Sequence, residues 1–132
     1  MSHELTTPRN RSFKYVMTHL KNHPHAHKCV FQARPNKFKF GILNYGEIKY
    51  WVNTADGDPW DVFAPTHVKI KTNTPYKISE VIGVFVLQNG NHKIAVRIDG
   101  VPYDIKSEKQ YIDTFCKEYS EFTRVPGKFM YL

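Results

Sequence analysis

Residues 79–100 read SEVIGVFVLQNGNHKIAVRIDG, two apolar runs joined by the polar tetrapeptide QNGN. Asn89-Gly90 suits a two-residue turn with positive φ. SEVIGVFVL and HKIAVRIDG on either side are dense in Val, Ile and Phe, so the stretch predicts an antiparallel β-hairpin. KCVFQA, KFKFGIL, EIKYWVN and DVFAPTHVKIK have the same character, and several of them alternate polar with apolar residues. Pro24, Pro35, Asp56-Gly57, Pro75 and Pro102 fall between these runs as turn punctuation.

The period changes at SEKQYIDTFCKEYSEF, residues 107–122. Tyr111, Ile112, Phe115, Cys116 and Tyr119 make a helical stripe there, and Ser107 with Gln110 forms a capping-box pair at its start. One helix against a set of antiparallel strands predicts an α+β domain, mainly β, with the strands curled into a barrel. The segment RSFKYVMTHLKN is ambiguous: Phe13, Val16, Met17 and Leu20 fit a helix, whereas Phe13, Tyr15 and Met17 fit a strand equally well.

At 132 residues the chain has the size of one domain, spanning 1–132, and its 41% hydrophobic and 14% aromatic content suffices for a packed core. No apolar run approaches the roughly eighteen residues of a membrane span, and MSHELTTPRNRS lacks the apolar block of a secretory signal. A soluble cytoplasmic protein without membrane contact is the expectation. Cys29 and Cys116 then read as two buried thiols rather than a disulfide. The net charge of +7 calls for an anionic partner, whether a phosphate compound, nucleic acid or an anionic surface, or else reflects a solvated basic surface. Lys and Arg are spread along the chain with no run longer than two, which disfavours nucleic acid without excluding it.

Against that charge, NTADGDPWDVFAPT at 53–66 gathers Asp56, Asp58 and Asp61 within six residues. Asp-Gly and Asp-Pro are turn formers, and a turn between two strands accounts for part of the cluster. It leaves Asp61 unexplained, since a charge at the head of the apolar strand DVFAP must be paired, solvated or ligated. In extended chain, side chains at i and i+2 share a face roughly 6.5 Å apart, close enough for Asp56 and Asp58 to approach bound cations together. Hard cations such as Mg²⁺ take oxygen ligands, commonly one or two carboxylates with substrate phosphates and water. The HPHAH segment, with His23, His25 and His27, reads as a solvated loop rather than a Zn²⁺ site, and Trp51 and Trp60 read as core or rim packing rather than base-stacking platforms.

DGDPWDVFAPT resembles the DGDPxDVLV signature of the soluble family I inorganic pyrophosphatases. SEVIGVFVL is similar to that family's strand ending in IGVL, HKIAVRI to its D-x-K-hydrophobic-x-AV strand, and FCKEYSEFTRVPGKF to its C-terminal FF-x-x-YK-x-L-x-x-GKW. FQAR and NYGEI resemble its F-x-DR and NYGFI segments, and ELTTPRNRSFKY is a weaker match to EIP followed by KYE. The resemblance implies a five-stranded OB-like barrel with the C-terminal helix packed against it, and Mg²⁺-dependent hydrolysis of pyrophosphate, or a related phosphoanhydride, with Mn²⁺ as a substitute metal. It implies that Asp56 and Asp61 bind the metal, and that Asp58 binds it too and helps orient or deprotonate the attacking water. Tyr45, Lys93, Arg34 and Tyr119 would be phosphate-side groups, with Tyr45 and Lys93 also catalytic, Lys14 and Glu4 as N-terminal equivalents, and the strand reading of SFKYVM favoured. The family forms dimers or hexamers, so a homo-oligomer is an expectation as well.

The likeness fails at specific positions. The family's DE-x(few)-D-x-K loop is here QNGNHK, with no carboxylate and with Asn91 in place of aspartate; Val16 and Ser120 stand where the family has glutamate and lysine. Weakened catalysis is one expectation. The alternative is a non-catalytic anion- or nucleotide-binding module on the same fold, and a third, less favoured, reading is an OB-like nucleic-acid binder.

Overall fold

The computed structural model describes residues 9–32 and 44–132. The elements run β1 (Arg9–Arg11), α1 (Phe13–Asn22), a 3₁₀ turn (Pro24–Ala26), β2 (Lys28–Gln32), β3 (Asn44–Asn53), β4 (Pro59–Ala64), β5 (Pro75–Leu87), β6 (Lys93–Ile98), α2 (Ile105–Thr123) and β7 (Gly127–Tyr131). The fold is α+β and mainly β: five strands close a mixed barrel in the order β2-β3-β4-β6-β5 and back to β2. Among the described residues, the parallel seam of the barrel joins β4 to β6. β1 adds to β3 in parallel and β7 adds to β5 antiparallel.

Strand alternation sends neighbouring residues to two different cores. Val62, Val84, Ile94 and Val96 belong to one cluster with Phe31, Ile48 and, from α1, Val16 and Leu20. Their neighbours Phe63, Phe85 and Ala95 belong to a second, completed by Ile112 and Phe115 of α2. This explains why SEVIGVFVL and KIAVRI read as continuous apolar runs: both faces of these strands are covered. The expected hairpin is present, but its turn differs: residues 88–92 join β5 to β6, and the Gly90 N–H donates to Leu87 O at 3.0 Å around Gln88-Asn89, so that Gly90, at φ +83°, and not Asn89 takes the positive φ. α2 is tied to β6 by Arg97, whose Nε and Nη2 donate to the two oxygens of the buried Glu108 at 2.8 and 2.7 Å.

Several local expectations change. SFKYVM is helical, not extended: Ser12 caps α1 by accepting from the Tyr15 N–H at 3.3 Å, and Val16 and Leu20, one turn apart, are fully buried. The strand reading fails because only the helical spacing puts both residues on the barrel. α2 begins at Ile105, capped by Asp104, which accepts from the Ser107 N–H and Oγ–H, so Ser107 lies inside the helix rather than before it. DVFAPTHVKIK keeps strand geometry only as far as Ala64. Beyond it the chain is held by buried Asn44, which donates to Thr66 O and Val68 O and accepts from the Ile70 N–H. KFKFGIL at 37–43 lies outside the described residues. Among those described, no helix is long and apolar enough to cross a membrane. Cys29 and Cys116 are free thiols, Cys29 buried and Cys116 half-buried, and burial pushes both up to about 12.

His27 is not solvated as expected. It is buried, its ring 4.2 Å from that of Trp51, with Nε2 2.7 Å from His19 Nδ1, whereas His23 and His25 are exposed. Burial, and then the neighbouring His19 and His23, hold its imidazole down at about 4, against an ordinary 6.5. The unfolded chain therefore takes up a proton between about pH 6.5 and 4 that the folded chain refuses, so stability falls as pH drops through that window. Denaturant melts at stepped pH should show a shallower acid-side loss in His27→Gln than in the parent; equal slopes would refute this.

Gly46 supports the β2–β3 contact directly. A Cβ there would lie 2.1 Å from Val30 O, a backbone atom that cannot move without parting the strands. Gly46→Ala should cost about 3 kcal/mol, the upper end of overpacking penalties, read as a drop in unfolding free energy.

Candidate active site

The turn joining β3 to β4 is built from the residues that suggested a turn. Asn53 accepts the Gly57 N–H on its carbonyl and the Ala55 N–H on Oδ1, both at 2.8 Å, and donates its own N–H to Asp58 O. Asp56 Oδ1 accepts the Asp58 N–H at 2.9 Å, and Gly57 takes φ +75°. Asp56 and Asp58 are exposed on this turn, and one arm of Asp56 is engaged in holding it. β4 then carries Asp61 back toward the barrel.

Asp61 is explained by pairing. In the parallel seam Val62 faces Ile94 and Phe63 faces Ala95, so the same offset sets Asp61 against Lys93. Lys93 is 1% exposed, and its Nζ donates to Asp61 Oδ2 at 2.6 Å. Its charge also lies 5.6 Å from the Tyr45 ring centroid and 5.5 Å from that of Tyr119. Four elements thus place Tyr45 (β3), Asp61 (β4), Lys93 (β6) and Tyr119 (α2) in one cluster, on the barrel face that α2 covers.

Sharing Asp61 with this cluster, a cleft of about 310 Å³ is lined by Glu47, Asp56, Asp58, Asp61, Asn53 and Asn91, with Pro59 and Trp60 as its apolar part. Asn91 reaches it from the β5–β6 hairpin, where its N–H donates to Asn89 Oδ1. Glu47 and Asn53 did not stand out in the sequence. Glu47 is directly opposite Asp61 across the β3–β4 ladder, and that pairing was the signal that could have found it. Lys14 is exposed on the first turn of α1 and does not line the cleft. Arg34 and Glu4 lie outside the described residues.

Among the described residues the cleft offers oxygen ligands, four carboxylates and two amides, the set that suits Mg²⁺ or Mn²⁺ rather than a softer ion. Among the described residues no three of His, Cys, Asp and Glu converge as a ready-made cage. The fit is to an ion held by one or two carboxylates together with phosphate oxygens and water. The chain matches no protein-family model and no curated protein.

The Asp61–Lys93 pair should show an asymmetric cost of disruption. Asp61→Asn leaves a buried ammonium without its partner and should cost about 3 kcal/mol in urea denaturation. Lys93→Met should cost less, because Asp61 is 21% exposed on its side chain and can hydrate. The double variant should be more stable than the sum of the two losses implies; strict additivity would show that the pair is uncoupled.

Proposed function

We propose that the cleft hydrolyses pyrophosphate, or a related phosphoanhydride, with Mg²⁺ as the activating ion. The observation that carries this reading is the convergence in space of residues scattered over the sequence. Asp56, Asp58, Asp61 and Asn91 share one cleft, and Lys93, Tyr45 and Tyr119 cluster beneath Asp61. They are residues that the resemblance to family I pyrophosphatases singles out, and a chance likeness of short motifs gives no reason for them to meet.

Pyrophosphate is itself an anion, and an acidic cleft repels it. Asp56 and Asp61 would hold Mg²⁺ together with phosphate oxygens and water, and the ion would supply the positive charge that draws the phosphates in and offsets the charge developing on their oxygens. Asp58 projects from the exposed turn, where its carboxylate can orient water and take its proton. The water oxygen bonds to one phosphorus as the bridging P–O bond breaks. The leaving phosphate keeps the bridging oxygen and its electron pair, and two phosphates result. Lys93 is too buried to be the first contact of an arriving anion. Its work is to fix Asp61 and to reduce the repulsion among the carboxylates gathered over it.

A second reading is a non-catalytic descendant of such a site, and two observations favour it. Asp61 already spends one oxygen on Lys93, and a neutral amide, Asn91, stands on the hairpin side of the cleft.

Phosphate release from pyrophosphate by the purified chain, with millimolar Mg²⁺ or Mn²⁺, decides between them. Under the hydrolytic reading turnover is metal-dependent, and Asp58→Asn lowers it at least about a hundredfold, the scale of a lost general base. Turnover unchanged in Asp58→Asn would sink the assignment. No turnover, with metal-dependent pyrophosphate binding retained, would leave the binding reading in its place.

A further inference from the structure

A second cleft, of about 490 Å³, is opposite in charge to the first. Arg9 and Arg11 of β1, Lys28 of β2 and Lys49 of β3 line it together with Tyr15 and Trp51, and among the described residues no carboxylate does. Among the described residues, three strands therefore bring four cationic side chains to one concavity. Among the described residues, the Nε of Arg11 is a buried donor without a hydrogen-bond partner.

The aromatic side chains are arranged with the cations rather than apart from them. Arg11 Cζ lies 5.0 Å from the Tyr15 ring centroid and 5.7 Å from that of Trp51, and the two rings are themselves 5.7 Å apart. Tyr15 is 46% exposed, and Trp51 is only half-buried. Behind them His27 and His19 pack against Trp51 with centroids at 4.2 and 5.3 Å, which fixes the indole in place.

The backbone is distorted at this point. In a regular strand Tyr50 would face away from Lys49 and Trp51, yet all three line the cleft. β3 achieves this with Tyr50 at φ +67°, in the left-handed region that costs a non-glycine residue about 1 kcal/mol or more, inside a register shift between Glu47 and Val52. Strain of this kind persists where surrounding structure holds it, and here what it delivers is a third side chain to the basic cleft.

We propose that this cleft binds a nucleotide unit, its phosphate among Arg9, Arg11, Lys28 and Lys49 and its base against Tyr15 and Trp51. Cations alone would take any phosphate. The rings and the Arg11 guanidinium plane add a surface that recognises the flat face of a base, the combination by which proteins hold single nucleotides and single strands. The volume lies within the roughly 300–1,000 Å³ of small-ligand pockets, enough for one nucleotide. A free nucleoside phosphate and a residue of a single strand share this chemistry. The proposal stands whether or not the acidic cleft hydrolyses anything.

Equilibrium binding in EDTA, which keeps metal-dependent chemistry silent, tests it with three probes: ATP, a short single-stranded oligouridine and inorganic tripolyphosphate. ATP or the oligonucleotide should bind at least about tenfold more tightly than tripolyphosphate, and whichever of the two binds better identifies the source of the unit. Trp51→Ala and the surface variant Tyr15→Ala should each weaken that binding about tenfold, with the exposed Tyr15 change serving if the Trp51 change unfolds the chain. Asp58→Asn should leave it unchanged. Absence of nucleotide binding, tripolyphosphate binding as tightly, or affinity indifferent to Tyr15→Ala and Trp51→Ala would each overturn the proposal.

Discussion

Parallel pairing of β4 with β6 closes the barrel, and the offset that closes it also sets Asp61 beside Lys93, thirty-two residues apart in the chain. Every other barrel seam is antiparallel. A slip of one residue in this seam would turn Lys93 and Asp61 to opposite faces and exchange the two apolar sets as well. Register here is held by both cores at once, because Val62 and Ile94 pack inside while Phe63 and Ala95 pack under α2. The ion pair is thus a consequence of the fold's closure, and it tolerates burial because the same closure supplies its partner.

In its two clefts the charged side chains of this basic chain are sorted by sign. Carboxylates collect in the cleft at the β3–β4 turn, and four cations collect on the other cleft, with β3 contributing to both linings. Lys93 beneath Asp61 offsets part of the repulsion in the acidic cleft. In the basic cleft Arg11 lies over the faces of Tyr15 and Trp51 and Lys49 over that of Tyr50 instead, an arrangement of modest energy.

α1 links these regions to the core. Its apolar side, Val16 and Leu20, enters the main cluster, while Tyr15 and His19 on other positions reach the basic cleft. His19 meets His27 and Trp51, so the helix is held by ring contacts and one hydrogen bond as well as by burial. On the far side of the sheet α2 is held by the Arg97–Glu108 fork and by Phe115 against Phe63, with centroids 4.3 Å apart. Tyr119 reaches Lys93 only because that helix is fixed in register.

By itself the sequence determined what short-range chemistry controls. The hairpin between β5 and β6, the apolar strands, the stripe of Ile112 and Phe115, the α+β class and the turn at Asp56–Asp58 were all readable, because each depends on φ preference or on the spacing of apolar residues over a few positions. Tertiary structure decided the rest. SFKYVM was balanced between helix and strand until Val16 and Leu20 had a core to enter, and HPHAH read as solvated because nothing local announces that Trp51 will cover His27. Asp61 demanded a partner, but only the β4–β6 register names Lys93, and only the β3–β4 ladder adds Glu47. The basic cleft was invisible for the same reason: Arg9, Arg11, Lys28 and Lys49 come from three strands and look evenly dispersed until sheet pairing sets them side by side.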